Sequence, residues 1–156
     1  MVDPDETVVA VVSRARMRAE NLRHRAVFVL VQDTTGRVLV HRRSDQKDLW
    51  PGWWDLAVGG VVAAGETWDD AARRELAEEL GVEAAEPSPA GGGSYEDHEV
   101  RLVARLYRLV HDGPFRFADG EVVEARFVTA RELRRLVGTE RFLPDSVALV
   151  LPLVPA

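Results

Sequence analysis

The chain has no cysteine among its 156 residues. Disulfides, thiolate-held zinc and a cysteine nucleophile are therefore excluded together. It has no apolar run approaching the length of a membrane span. Its opening, MVDPDET, is acidic and polar, unlike a secretory signal. Basic residues are outnumbered, 20 against 26, and the net charge of −6 leaves no basic stripe to release counterions from nucleic acid. That balance does not exclude a phosphate-bearing substrate, because a bound divalent cation carries the needed local charge. The expectation is a soluble cytoplasmic protein that engages neither membrane nor nucleic acid. Its length suits one domain over residues 1–156, with enough chain to bury a real core. No internal repeat is visible.

What the chain does have is concentrated between Gly60 and Val82, GVVAAGETWDDAARRELAEELGV. The stretch reads as a loop followed by a helix over Trp68 to Leu80. Thr67, three residues before Asp70, is placed to cap it. Gly81 supplies the left-handed stop. At about 100° per residue, Ala72, Leu76 and Leu80 form an apolar stripe. Glu75, Glu78 and Glu79 share a neighbouring arc. Like charges three and four residues apart repel, and Arg73 and Arg74 both lie before the cluster. Hard oxygen ligands gathered this way suit Mg²⁺, or Mn²⁺, between them.

Around this stretch, Val8–Val12 reads as a short edge strand and Arg14–Asn21 as helical. Ala26–Val31 is a strongly apolar strand that Asp33–Gly36 turns back into Arg37–His41. Arg42, Arg43 and Lys47 make a small basic group, with Pro51-Gly52 marking a turn. Trp50, Trp53 and Trp54 read as packing anchors. Asp55–Val58 should be a strand delivering Gly59 and Gly60, where bare backbone can approach a metal or phosphate. Ala84–Gly93 reads as a connecting loop, Val100–Val110 as a long strand and Val122–Val128 as another. A helix follows from Thr129 to Val137, capped through Glu132. A last helix runs over Asp145–Leu151 and ends at Pro152. His24, His41, His98 and His111 read as surface, capping or turn residues. Irregularly alternating strands and helices favour a mixed sheet packed between helices. The edge strand and the apolar tail offer surfaces for a homodimer.

The central stretch resembles the Nudix box, G-x5-E-x7-R-E-U-x-E-E-x-G-U, where U is bulky and aliphatic. Gly60, Glu66, Arg74, Glu75, Leu76, Glu78, Glu79, Gly81 and Val82 fill it without departure. A chance match at one start point is on the order of 1 in 10⁹ from average composition, so the likeness is specific. It implies an α/β/α sandwich with a mixed sheet and a loop-helix-loop catalytic motif. It implies a metal-dependent hydrolase that cleaves a diphosphate linkage in a nucleoside diphosphate–X or related nucleotide, by water attack at phosphorus. Glu75, Glu78 and Glu79, with the Gly59 carbonyl, would hold Mg²⁺ (or Mn²⁺). Arg74 would orient Glu75, and Glu66 would steady the loop. The general base varies in this family, which leaves Glu75, Glu78, Glu121 and Glu124 as candidates.

HRRSDQKDLWPGWWDLAVGG, EDHEVRLVARLY and DGEVVEARFVT are also similar to segments of type I isopentenyl-diphosphate isomerases and their hydrolase-like relatives. This likeness implies diphosphate contacts from Arg43 and Lys47. It also implies a metal-binding role for His24 and an acidic pair at Asp97 and Glu99. The isomerase pattern has its catalytic cysteine at Gly59 and a metal-binding histidine at Val61. Without that cysteine, proton transfer to an alkene has no evident donor. Isomerase activity is therefore disfavoured. A nucleotide-binding module without turnover is the remaining alternative, and the complete set of box acids argues against it.

Overall fold

A computed structural model describes residues 1–156. The apolar run after Arg25 becomes β1 (His24–Gln32), and its period of two divides it between two cores. Ala26, Phe28 and Leu30 join Leu102, Leu106, Leu133 and Phe142 on one side. Val27, Val29 and Val31 join Leu39, Leu76 and Leu80 on the other. A strand apolar on both faces belongs inside a sheet that is covered on both sides.

β6 (Arg101–Val110) runs parallel to β1 from His24↔Leu102 to Gln32↔Val110, and β5 (Ser88–Glu96) pairs antiparallel with β6. On the other edge, β2 (Val38–Arg43) returns from the Asp33–Gly36 turn. β1 and β2 share a single register pair, Gln32↔Val38, and then part. β4 (Val58–Val61) takes the edge of β1 that this frees, while β3 (Trp54–Asp55) and β7 (Val122–Val128) pair with β2. The result is a seven-stranded mixed sheet in the order β3-β2-β1-β6-β5, with β4 branching from β1 and β7 from β2.

The helices are α1 (Arg14–Ala19), α2 (Trp68–Leu80), α3 (Ala130–Thr139) and α4 (Pro144–Leu149). α2 covers the Val27 face through Ala72, Leu76 and Leu80, all fully buried. Leu133 of α3 and Val150 after α4 cover the Leu30 face. This is the expected three-layer arrangement. α3 carries the expected capping box, with Thr129 N–H donating to Glu132 at 2.8 Å and Glu132 N–H donating to Thr129 Oγ1 at 3.2 Å. No helix is long and apolar enough to cross a membrane.

Four expectations need correction. Val8–Val12 forms no strand; an isolated bridge joins Val2 and Val8, and Asp3 Oδ1 accepts the Asp5 and Thr7 amides to curl the segment. The loop expected over Ala84–Gly93 is largely β5. Its glycines show no side-chain period, yet the free edge of β6 supplies their backbone partners. A Cβ on Gly92 would lie 2.8 Å from the Ala104 carbonyl, so the bare strand is also what fits. The strand expected over Asp55–Val58 is split: Asp55 Oδ1 accepts the Ala57 N–H at 3.1 Å, and the chain crosses from β2 to β1 there. Finally, Pro152 does not end the last helix but lies inside a 3₁₀ turn, Leu151–Leu153. Proline has no amide to lose in a first turn.

Candidate active site

α2 takes the predicted bounds. Thr67 accepts the Asp70 N–H at 3.1 Å, and Gly81 closes the helix with φ 66°. Its acidic arc divides by depth. Glu75 and Glu79, one turn apart, are buried, at 7% and 4% exposure, whereas Glu78 faces solvent. Gly60 of β4 packs against the first of these. A Cβ there would fall 2.0 Å from Glu75 Oε1, so only hydrogen fits.

Arg74 ties the loop to the helix. Its Nε and Nη2 fork onto the two oxygens of Glu66 at 2.8 and 3.0 Å, and Nη2 also donates to the Val61 carbonyl at 3.0 Å. Nη1 donates to Glu75 at 2.7 Å and, more weakly, to Glu78 at 3.3 Å. Glu66 in turn accepts the Ala63 N–H at 3.0 Å. A planar five-donor group can serve all of these at once, and a lysine cannot. The fork holds the Glu66 carboxyl below its ordinary pKa. Burial pushes Glu75 up to about 7, against the pull of Arg74. Burial, with Glu75 as the next cause, holds Glu79 well above the usual carboxylate range.

Behind Glu79 stands His41, which is buried and not the surface or capping residue expected. Its Nε2 is 3.8 Å from Glu79 Oε2, and its Nδ1 is buried without a partner. Burial lowers its pKa, so the ring is neutral and the contact is no ion pair. The signal was present. Leu39 packs on the α2 side, and a period of two sends His41 the same way.

A cleft of about 70 Å³ opens where β1 and β2 separate, and Gly59 and Gly60 line it. Arg43 and Lys47 both line it. Arg43 Nη2 donates to the Leu49 carbonyl at 3.0 Å, and its buried Nε has no partner. Lys47 Nζ is 2.9 Å from Glu121 Oε2. Asp55 and Asp145 complete the wall, and nothing local in the sequence pointed to either. Burial and the nearby Asp55 push Asp145 up to about 7. His24 lines the cleft too and is 5% exposed, so it is not the surface or capping residue expected. Its Nδ1 lies 3.1 Å from the Leu22 carbonyl and must donate to it, which leaves Nε2 with a lone pair. Burial lowers its pKa to about 4, which keeps the ring neutral.

Other expected residues lie elsewhere. Glu124 pairs with Arg42 at 3.5 Å across β2 and β7, on the face away from α2. Asp97 is a turn residue: it accepts the Glu99 and Val100 amides at 2.7 and 2.8 Å and the Tyr95 hydroxyl at 2.8 Å. Glu99 is exposed. Trp50 and Trp53 stack with centroids 6.2 Å apart, and Trp54 stacks on Phe142 at 6.5 Å. These tryptophans are packing anchors, with Trp50 also lining the cleft.

No group of three or more acidic, imidazole or thiol side chains is drawn together tightly enough to hold a metal. Glu75 leans to Arg74 and Glu79 lies beside His41. The donor chemistry nonetheless suits a hard divalent cation. Two buried carboxylates one turn apart repel each other, and an added positive charge between them removes that cost. The ladder supplies a further oxygen. Val62 N–H bonds the Arg25 carbonyl, and the alternation of antiparallel pairs then turns the Gly59 carbonyl away from β1.

The site is thus a carboxylate-faced loop-helix-loop beside a basic cleft, carried on an α/β/α sandwich. The chain belongs to the Nudix family: the family model described as "NUDIX domain" matches residues 22–146. It is 40% identical over 147 residues to the Nudix hydrolase YfcD of Salmonella typhi, covering 94% of this chain and 79% of that one. It is 38% identical over 150 residues to the Nudix hydrolase SCO1686 of Streptomyces coelicolor, covering 95% and 83%. Among solved structures it resembles DR0079 from Deinococcus radiodurans, with TM-score 0.82, 28% identity and coverage of 99% and 97%. A MutT protein from Methanosarcina mazei Go1 aligns with TM-score 0.67 and 26% identity over 81% and 88%.

Proposed function

We propose that this Nudix hydrolase cleaves the diphosphate linkage of a nucleoside diphosphate–X or related nucleotide by attack of water at phosphorus, with Mg²⁺ (or Mn²⁺) as cofactor. The observation that carries this reading is the pair of buried carboxylates, Glu75 and Glu79, held one turn apart beside Gly60 and clamped by Arg74. Glu75, Glu78 and Glu79, with the Gly59 carbonyl, would hold the cation. When bound, it neutralises diphosphate oxygens and lowers the pKa of a coordinated water.

The chain's own residues do the rest. Arg43 and Lys47 bind the phosphate oxygens from the cleft. Arg74 fixes Glu75 through one of its forked donors while the other two hold Glu66. The water's oxygen bonds to phosphorus as the P–O–P bridge breaks. The departing phosphate keeps the bridging oxygen and its electron pair, and a carboxylate takes the proton. Glu75, Glu78 and Glu121 border the site and are the candidate bases. Glu124 is set aside because it pairs with Arg42 on the far face.

The isomerase alternative loses further ground. A Cβ on Gly59 would lie 2.7 Å from the Val27 carbonyl, so a cysteine there would force the ladder apart. The deciding assay follows release of nucleoside monophosphate or inorganic phosphate with Mg²⁺ across nucleoside diphosphate sugars, nucleotides, dinucleotides and prenyl diphosphates. The expected result is turnover by the wild type and almost none by Glu79→Gln or Glu78→Gln. Wild-type-like turnover in both variants would remove these residues from the mechanism.

A further inference from the structure

A second cavity, of about 410 Å³, lies on the other side of His24 and Val61 from the basic cleft. One wall is the N-terminal arm and the other is the loop after β4. The arm is held in place: Val2 N–H bonds the Arg23 carbonyl at 2.9 Å, and Arg105 grips Glu6 with bonds of 2.7 and 2.5 Å. Eleven of the seventeen lining residues are apolar, among them Val2, Val12, Met17 and Val62. Arg74 and Glu75, the pair on which the proposed reaction turns, line it as well. His24, Arg14 and Val61 line both cavities and form the wall the two share.

From this we infer that the arm cavity is the subsite for X, and that X is an uncharged, largely apolar alkyl or aryl group. The inference rests on the diphosphate-hydrolase reading and names its substrate class. The size is that of a pocket for a small organic group. Arg14, Arg25 and Arg74 are also in the lining and would meet the phosphate oxygens. A sugar or other polyhydroxyl group would be left with unpaired polar atoms against valine and methionine. The same cavity accommodates an apolar group at no such cost.

The test is a homologous series of nucleoside diphosphate n-alkyl esters, ethyl to hexyl, cleaved by water to nucleoside monophosphate and alkyl phosphate. Dissociation constants of the matching uncleavable nucleoside methylenebisphosphonate alkyl esters are measured by calorimetry beside it. Each buried methylene should improve kcat/KM and Kd about fourfold. The nucleoside diphosphate ribose of the same base should fall below the hexyl compound. Val12→Asp should abolish the chain-length dependence, and so should Ala10→Trp, which fills the cavity should the charged variant fold poorly. A Kd series with these steps in a protein that cleaves nothing supports the cavity assignment and removes the hydrolase reading. Turnover with flat chain-length dependence removes the cavity assignment and leaves the hydrolase reading standing. Val8, Val9 and Val11 are among the few large apolar residues exposed, so light scattering accompanies the series. A dimer that ligand does not perturb, with the same flat series, assigns the arm to a second copy of the chain and overturns the proposal.

Discussion

Arg74 Nη1 lies 2.7 Å from Oε1 of Glu75, its immediate neighbour on α2. Consecutive residues on a helix point about 100° apart and do not ordinarily meet. Here they converge because Glu66 and the Val61 carbonyl pull the guanidinium across the helix face. The loop before the helix therefore decides where the first carboxylate points.

Arg74→Lys keeps the charge and loses the fork. A lysine cannot grip both Glu66 oxygens and still reach Glu75. Activity should fall by about 10- to 100-fold, the usual cost of removing a residue that orients a ligand. The fall should lie mainly in kcat, and circular dichroism should show an intact fold. A variant with unchanged kcat would detach Arg74 from the chemistry.

Gly60→Ala tests close packing rather than charge. The added methyl would sit 2.0 Å from Glu75 Oε1, so that side chain has to move. Stability should drop by about 1–3 kcal/mol, as for other overpacked sites, and turnover should be largely lost. Urea unfolding and steady-state kinetics measure the two effects separately.

Glu79→Gln should separate stability from function. The buried Glu79 carboxylate is disfavoured by its burial and by Glu75. Removing its charge should raise the melting temperature in EDTA. Added Mg²⁺ should stabilise the wild type with the logarithm of its concentration above Kd and should leave the variant almost unmoved. Scanning calorimetry with and without Mg²⁺ reads both results. A wild type that Mg²⁺ does not stabilise, even with a diphosphonate present, would count against the metal site.

Asp145 gives stability a pH dependence of a definite sign. Burial raises its pKa from 3.8 to about 7 in the folded protein. Between those values the folded chain keeps a proton that the unfolded chain has released. The contribution of Asp145 to stability is thus fully present below pH 3.8, and it declines as pH rises through about 7. Asp145→Asn, which keeps an oxygen for the Ser146 N–H, should remove this decline and be the more stable form at pH 8. Melting temperatures of both proteins across this range test it.

The sequence alone determined α2, its caps, the box residues, most of the strands and hence the family. Each depends on local rules: a helical period, a capping side chain, a glycine that turns the chain, a strand apolar at every position. It did not determine β5, whose glycines carry no pattern and are ordered by the edge of β6. Nor did it separate Glu78 from Glu79, which lie on one helical arc and differ only in what packs over them. His41 was one step of strand alternation from being found. Asp55, Asp145 and the arm cavity were not, because they depend on where β1 and β2 part and on what a chain segment far away lays across the gap. Tertiary structure decided those, since burial and the meeting of distant side chains follow from packing and not from spacing along the chain.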